Sequence, residues 1–140
     1  MQKYNKQNIP LEIDGIPVVQ DTTEACLALM EGKQVARYEF GDSMKPLLSS
    51  GQFCKLIPLA SNEEANIGDI VFALVSGTPS THMVWMKSRE EDGTCNYLIS
   101  TSRGGFLGWT KNIIAKAYGI PHIVENEPVD YNLIDYSLMF

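Results

Sequence analysis

The first twenty positions alternate loosely between hydrophobic and polar side chains, without a helical period. Pro10, Gly15 and Pro17 interrupt this stretch. Alternation broken by proline and glycine is typical of extended chain and turns rather than of a helix. The pattern therefore predicts an extended N-terminal arm over residues 1–20, with one short strand at 11–13.

The period of the hydrophobic positions changes after residue 20. Apolar side chains at Ala25, Leu27, Leu29 and Met30 form one face of a short helix that runs to residue 31. Thr22 or Thr23 can cap its first turn, and Gly32 marks its end. One helix is therefore predicted near the N-terminus.

The rest of the chain alternates or forms short apolar runs, which predicts strands. Residues 69–75 (DIVFALV) are apolar enough for a buried strand, and residues 81–88 (THMVWMKS) follow a turn at 76–79. The predicted strands are 34–40, 52–58, 69–75, 81–88, 95–100 and 113–119. Residues 104–106 together with Trp109 are interpreted as a packed surface loop, and a mobile aromatic loop beside the site is the alternative.

These elements predict a mainly β domain with one short N-terminal helix. The length of 140 residues suits a single domain with its own core. We divide the chain into the arm at 1–20, a main domain at 21–120, and a C-terminal segment at 121–140. That last segment contains two prolines and several aromatic residues, and we expect it to wrap back over the same domain.

Charge and apolar run lengths restrict the partners of the chain. The formal net charge is -6 and the sequence pI is about 4.8, with no basic stripe, which argues against nucleic-acid binding by this chain alone. No apolar run approaches the ~18–20 residues of a membrane span, and the N-terminus lacks the apolar core of a secretory signal. We therefore expect a cytoplasmic protein without membrane association.

The cysteines indicate neither a disulfide framework nor a metal centre. Cys26, Cys54 and Cys95 are odd in number and form no C-x-x-C pair. This spacing is typical of small buried side chains in a reducing compartment. No metal site and no cofactor are predicted.

Two short motifs carry the candidate chemistry. Gly41-Asp42-Ser43-Met44-Lys45-Pro46 follows a predicted strand, and Gly68-Asp69-Ile70-Val71 begins twenty-five residues after Ser43 and opens a predicted hairpin. The pair of motifs, at this spacing, resembles the superfamily of LexA-type, UmuD-type and signal-peptidase-type serine peptidases. The resemblance extends over roughly residues 34–119.

The resemblance implies both a fold and a set of roles. It implies the β-rich LexA and signal-peptidase fold, with Ser43 as the nucleophile and a base on the return strand of the hairpin. A serine hydroxyl needs such a base to become reactive. Asp42, Met44 and Pro46 would surround the oxyanion hole and the bound substrate, where backbone N–H groups stabilise the developing charge.

Two residues of the return strand are candidates for the base. Counting fourteen residues from Gly68, the spacing of the LexA-type members, leads to His82, and histidine members of the superfamily carry histidine here. Lys87 is the alternative, as lysine is the more usual base. Because they are five residues apart, a regular strand would place them on opposite faces. A third reading makes Lys87 a surface lysine and His82 a structural histidine.

Two departures from the superfamily pattern weaken the enzymatic interpretation. Met83 stands where an arginine commonly follows the base. Ser100-Thr101-Ser102 stands where histidine members supply an aspartate, so at best a hydroxyl would orient the imidazole.

The function expected from this resemblance is a serine peptidase that hydrolyses a peptide bond with a Ser–His or a Ser–Lys dyad. Its substrate would be a peptide or a protein. No Ala-Gly or Cys-Gly bond precedes Ser43, which argues against self-cleavage of the LexA type. The alternatives are a non-hydrolytic peptide-binding or assembly module on the same fold, and a phage-type repressor fragment.

Overall fold

The structure is a computed structural model that describes residues 9–39, 52–60 and 63–120. Within these ranges the elements are β1 (Glu12–Ile13), β2 (Ile16–Pro17), α1 (Thr22–Met30), β3 (Val35–Glu39), β4 (Gln52–Pro58), β5 (Ile70–Val75), β6 (Thr78–Arg89), β7 (Cys95–Ser100), β8 (Phe106–Thr110) and β9 (Ile113–Ile120). The described chain is mainly β with one helix, which confirms the predicted class.

Strands β3 to β9 form one seven-stranded antiparallel sheet, in the order β3-β4-β9-β5-β6-β7-β8. The far strand β8 comes back towards β5 at its end. The Thr110 hydroxyl donates to the Leu74 carbonyl at 2.6 Å, and the Leu74 N–H donates to the Asn112 carbonyl at 3.0 Å. The first bond links β8 to β5 and the second links β5 to the turn after β8, so the sheet curls on itself instead of lying flat.

The sheet has a buried cluster on each face. On the side that we call the helix face, Ala25 and Leu29 of α1 pack on Leu56 and Phe72. On the opposite face, a second cluster is formed by buried side chains of β5, β6 and β7: Val71, Ala73, Val75, Val84, Cys95, Tyr97 and Ile99. Burial on both faces explains why β5 is apolar at nearly every position.

The N-cap of α1 lies one residue before the first of the two predicted N-cap residues. Asp21, rather than Thr22 or Thr23, is the N-cap, because its carboxylate accepts a hydrogen bond from the Glu24 N–H at 2.9 Å. Gly32 has a φ of 84°, which confirms it as the residue that ends the helix. No helix in the described ranges is long and apolar enough to cross a membrane.

The described part of the predicted arm packs on the sheet. β1 and β2 form a separate two-stranded hairpin around Asp14 and Gly15, which both have positive φ. Ile13 of this hairpin packs with Ala36 and Phe53 in a third cluster. The arm residues from Ile9 onward therefore contribute to the core of the domain, while residues 1–8 lie outside the described part.

The turn between β5 and β6 is shorter than predicted. It consists of Ser76 and Gly77, whose φ angles of 53° and 82° are those of a tight two-residue hairpin turn. Thr78 and Pro79, predicted as part of the turn, belong to β6 and pair with Val75 and Leu74. β6 therefore begins at Thr78, earlier than the predicted strand at 81–88. It ends at Arg89, one residue later than predicted.

The surface loop predicted around Phe106 and Trp109 is wrong, because these residues form β8. β8 pairs with β7, and Trp109 lies opposite Leu98. Gly108 weakens the local strand pattern, but the ladder with β7 provides the hydrogen bonds that the pattern alone does not reveal. The other predicted strands are present with small shifts, and the bounds of β4 and β7 match the prediction.

Candidate functional site

The predicted site is divided between a segment and a hairpin. Asp42, Ser43, Met44 and Pro46 lie between β3 and β4, outside the described residues. The described part of the site is therefore the β5–β6 hairpin, which carries both candidate bases. The predicted C-terminal wrap at 121–140 also lies outside the described residues.

The second motif opens this hairpin. Gly68 has a φ of 92°, a conformation that a side chain disfavours, and its N–H donates to the Val84 carbonyl at 2.8 Å. The Val84 N–H donates to the Asp69 carbonyl at 2.9 Å. These two bonds extend the β5–β6 ladder and set the register in which His82 lies opposite Val71.

His82 lies on the face of the sheet that is opposite to helix α1, the face that carries the second cluster. Its side chain is partly buried. Its Nδ1 atom is 3.0 Å from the Ser80 hydroxyl oxygen. Burial lowers the pKa of His82 below its ordinary value of 6.5, because the charged ring loses solvation. The imidazole is therefore mainly neutral near pH 7, as a general base must be.

Ser80 is a site residue that the sequence analysis missed. It precedes His82 by two positions in β6, so both side chains project from the same face. The predicted strand began at residue 81 and left Ser80 next to a turn. A strand predicted from residue 78 onward would have placed Ser80 and His82 on the same face, because side chains alternate with a period of two.

Lys87 lies on the same face as His82, so the prediction that they point to opposite faces is wrong. Val84 pairs with Ile99 and Met86 pairs with Leu98, which leaves Trp85 without a partner in β7. This β-bulge inserts one residue and reverses the alternation beyond it.

Lys87 is held in a charge cluster at the far end of β6. Its Nζ atom is 2.9 Å from Glu64 Oε2, and Arg89 reaches the same carboxylate at 3.0 Å. Hydrogen bonds from Lys87, Cys95 and Arg89 lower the pKa of Glu64 to about 2, and the same carboxylate raises the pKa of Lys87. A base must be neutral before it takes a proton, so this pairing favours His82 over Lys87.

The two positions that depart from the superfamily pattern lie on the helix face, away from His82. Met83 packs against the cluster beneath α1, and Ser100 pairs with Met83 across β6 and β7. The Ser100 hydroxyl is fully buried on that face and forms no hydrogen bond with the residues that the structure describes, so it does not orient the ring. Thr101 accepts a hydrogen bond from the Gly105 N–H at 3.0 Å and thereby stabilises the β7–β8 turn.

A second ion pair fixes the aspartate of the hairpin motif. Lys116 on β9 lies opposite Val71, on the same face as His82. Its Nζ atom is 3.5 Å from Asp69 Oδ2 and 3.9 Å from Glu63 Oε1. Asp69 also accepts a hydrogen bond from the Asn66 N–H at 2.8 Å. The carboxylate of Asp69 thus holds the start of β5 in place.

None of the three cysteines forms a disulfide bond. Cys54 and Cys95 are buried, and Cys26 is partly buried. Within residues 9–39, 52–60 and 63–120, no three histidine, cysteine or acidic side chains are grouped closely enough to hold a metal ion.

Comparison with known proteins gives no match. No family model, no curated protein and no solved structure matches this chain. The resemblance to the LexA-type and signal-peptidase-type peptidases thus rests on the two sequence motifs and their spacing.

Proposed function

We propose that the protein is a serine peptidase with the LexA and signal-peptidase type of fold, in which Ser43 is the nucleophile and His82 the general base. The observation that carries this proposal is the neutral, partly buried His82 with Nδ1 against Ser80. The mainly β architecture and the hairpin that starts at Gly68 support the fold. The substrate class is a peptide or a protein.

The proposed mechanism uses the two ring nitrogens for different tasks. In the tautomer that the mechanism requires, His82 Nδ1–H donates to the Ser80 hydroxyl and the lone pair is on Nε2. Nε2 removes the proton of the Ser43 hydroxyl as its oxygen attacks the peptide carbonyl, and the imidazolium then protonates the leaving amine. Water hydrolyses the acyl-enzyme in the same way, with His82 again as the base.

The residues next to Ser43 complete the proposed site. Backbone N–H groups around Asp42 and Met44 would bind the oxyanion, where one donor typically contributes ~10²–10³ in rate. Pro46 lacks an N–H group, so its contribution would be to the shape of the segment. These assignments come from the motif resemblance.

Ser80 would orient the imidazole but stabilise its charge weakly, because a hydroxyl is a neutral dipole. Loss of the correct tautomer costs ~10⁴ in kcat when a triad aspartate becomes an amide. We therefore expect modest hydrolytic activity. The same observation favours the second candidate, a non-hydrolytic peptide-binding module on this fold, which would need no strong base.

A serine-directed fluorophosphonate probe tests the proposal directly. We expect the wild-type protein to gain one adduct, located at Ser43 by peptide mass spectrometry. Ser43→Ala should remove the adduct and His82→Gln should strongly slow its formation, whereas the matched variant Ser50→Ala in the same segment should keep it. Circular dichroism of each variant separates loss of reactivity from loss of fold. A folded wild-type protein that gains no adduct would leave the non-hydrolytic module as the better hypothesis.

A further inference from the structure

Five large hydrophobic side chains are exposed together around β8 and the bulge of β6. They are between 40% and 60% exposed: Trp85, Met86, Phe106, Leu107 and Trp109. The rings of Trp85 and Phe106 meet edge to face, with centroids 5.8 Å apart. We call these five residues the aromatic patch.

The fold explains why the aromatic patch is uncovered. Met86, Leu98 and Trp109 lie in one row across β6, β7 and β8 on the helix face. Helix α1 packs against β3, β4 and β9, at the other end of the sheet. Side chains that would be buried beneath a helix elsewhere on this face are therefore open to solvent here. A contiguous exposed apolar surface of this kind is typical of a binding site.

The aromatic patch is flanked by positive charge on an acidic protein. Arg103 precedes β8 and Lys111 follows it directly, and both are exposed. Neither forms a salt bridge with another residue in the part of the chain that the structure describes. Lys111 is near enough to Asp92 to help lower the pKa of that carboxyl group, so the positive charge beside the patch comes mainly from Arg103, on a chain whose net charge is -6. This surface suits an occupant that is both apolar and acidic.

We propose that the aromatic patch binds residues 121–140 of the same chain. The sequence of this segment has four carboxylates (Glu125, Glu127, Asp130 and Asp135) and no lysine or arginine. Ten of its twenty residues are hydrophobic. Its chemistry complements both the apolar centre and the cationic rim of the patch. This inference is independent of the proposed peptidase activity.

Residues 121–140 are long enough to extend from the end of β9 to the aromatic patch. The segment follows β9, which ends at Ile120, and twenty extended residues span at most roughly 66–72 Å. Seven strands spaced at about 4.8 Å make a sheet roughly 29 Å wide. The patch on β6 and β8 is therefore within reach of the segment.

A second copy of the chain fits the patch less well than this segment does. Two patches facing each other would bring Arg103 and Lys111 of both copies together, and like charges across an interface oppose binding. Five partly exposed side chains also offer a surface of only a few hundred Å². Stable interfaces bury about 1,200 Å² or more in total.

The two tryptophans make the proposal testable in the full-length protein. Trp85 and Trp109 are the chain's only tryptophans, so emission excited at 295 nm reports on the patch alone. We expect Leu133→Ser combined with Ile134→Ser to shift the emission to longer wavelength and to at least double acrylamide quenching. The matched control is Leu27→Ser combined with Met30→Ser on α1, which exchanges two exposed apolar residues far from the patch. It should change neither signal.

Charge and proximity provide two further measurements. Arg103→Glu should increase quenching in the same direction as the double variant. A photoreactive benzoylphenylalanine at position 106 should cross-link to a peptide within 121–140 of the same molecule, which also tests the contact if the double variant does not fold. Unchanged quenching in a folded double variant, or a cross-link to any other region, would overturn the proposal. A cross-link that doubles the mass would assign the patch to a second copy and overturn it as well.

Discussion

His82 and Lys87 lie on one face of β6 although they are five positions apart. His82 lies opposite Val71 and Lys87 opposite Tyr97, both members of the second buried cluster. The bulge at Trp85 is the cause, because it adds one residue to β6 without a partner in β7. What distinguishes the two side chains is therefore their partners: Ser80 for the histidine and Glu64 for the lysine.

These partners predict which side chain activates Ser43. We expect His82→Gln to slow fluorophosphonate labelling of Ser43 by ~10²-fold or more, the usual contribution of a general base. Lys87→Gln should change the labelling rate less than twofold, since a charged amine in an ion pair accepts no proton. Pseudo-first-order labelling rates at pH 7.5 measure both effects. The reverse result would assign the base to Lys87.

Burial of His82 predicts a pH dependence of folding. The imidazole should titrate below pH 6.5 in the folded protein, as followed by the ring signals in NMR and assigned with His82→Gln. The unfolded chain then binds more protons than the folded chain below pH 6.5, so this group lowers the free energy of unfolding as the pH falls through 6.5. In His82→Gln this contribution should disappear. A titration midpoint at or above 6.5 would contradict the burial argument.

The contact between Ser80 and His82 predicts a change of tautomer. Ser80→Ala should lower the fraction of imidazole protonated at Nδ1, as measured by nitrogen-15 shifts of the ring. It should also slow labelling of Ser43 by roughly 2- to 13-fold, equivalent to ~0.5–1.5 kcal/mol for one hydrogen bond. Ser80→Thr, which keeps the hydroxyl, should restore both properties. Ser88→Ala, on the exposed part of the same strand, is the control and should leave the tautomer unchanged.

The Glu64 cluster predicts how the protein responds to acid. Because the pKa of Glu64 is lowered from 4.5 to about 2, its contribution to stability is complete above pH 4.5 and is lost as the pH falls towards 2. Glu64→Gln should therefore lower the free energy of unfolding at pH 7 more than at pH 3. Denaturation with urea at both pH values measures this, and added salt should reduce the difference because the carboxylate is partly exposed.

Glu63→Gln is the matched control for that experiment. Glu63 is the neighbouring carboxylate, and its contact with Lys116 is long at 3.9 Å. This variant should change stability little at either pH. If both variants lost the same stability at pH 7, the effect would come from the net charge of the chain and not from the contacts of Glu64.

Local patterns in the sequence determined most of the elements. The alternating or apolar runs at 52–58 and 95–100 became β4 and β7 without a change of bounds, because each run is short and ends at polar or turn residues. Gly32 ended the helix because it alone there adopts a positive φ without a side-chain clash. The spacing from Gly68 also led to His82, whose burial and hairpin position are those of a candidate base.

Only the tertiary structure decided the properties that depend on a partner strand. The sequence of β6 contains no mark of the bulge at Trp85, since a bulge exists only where two strands are aligned and one has an extra residue. The same holds for β8, whose hydrogen bonds come from β7, and for the ion pairs between Glu64 and residues more than twenty positions away. Pattern along the chain thus specified which residues form strands, while non-local pairing decided which face each side chain occupies.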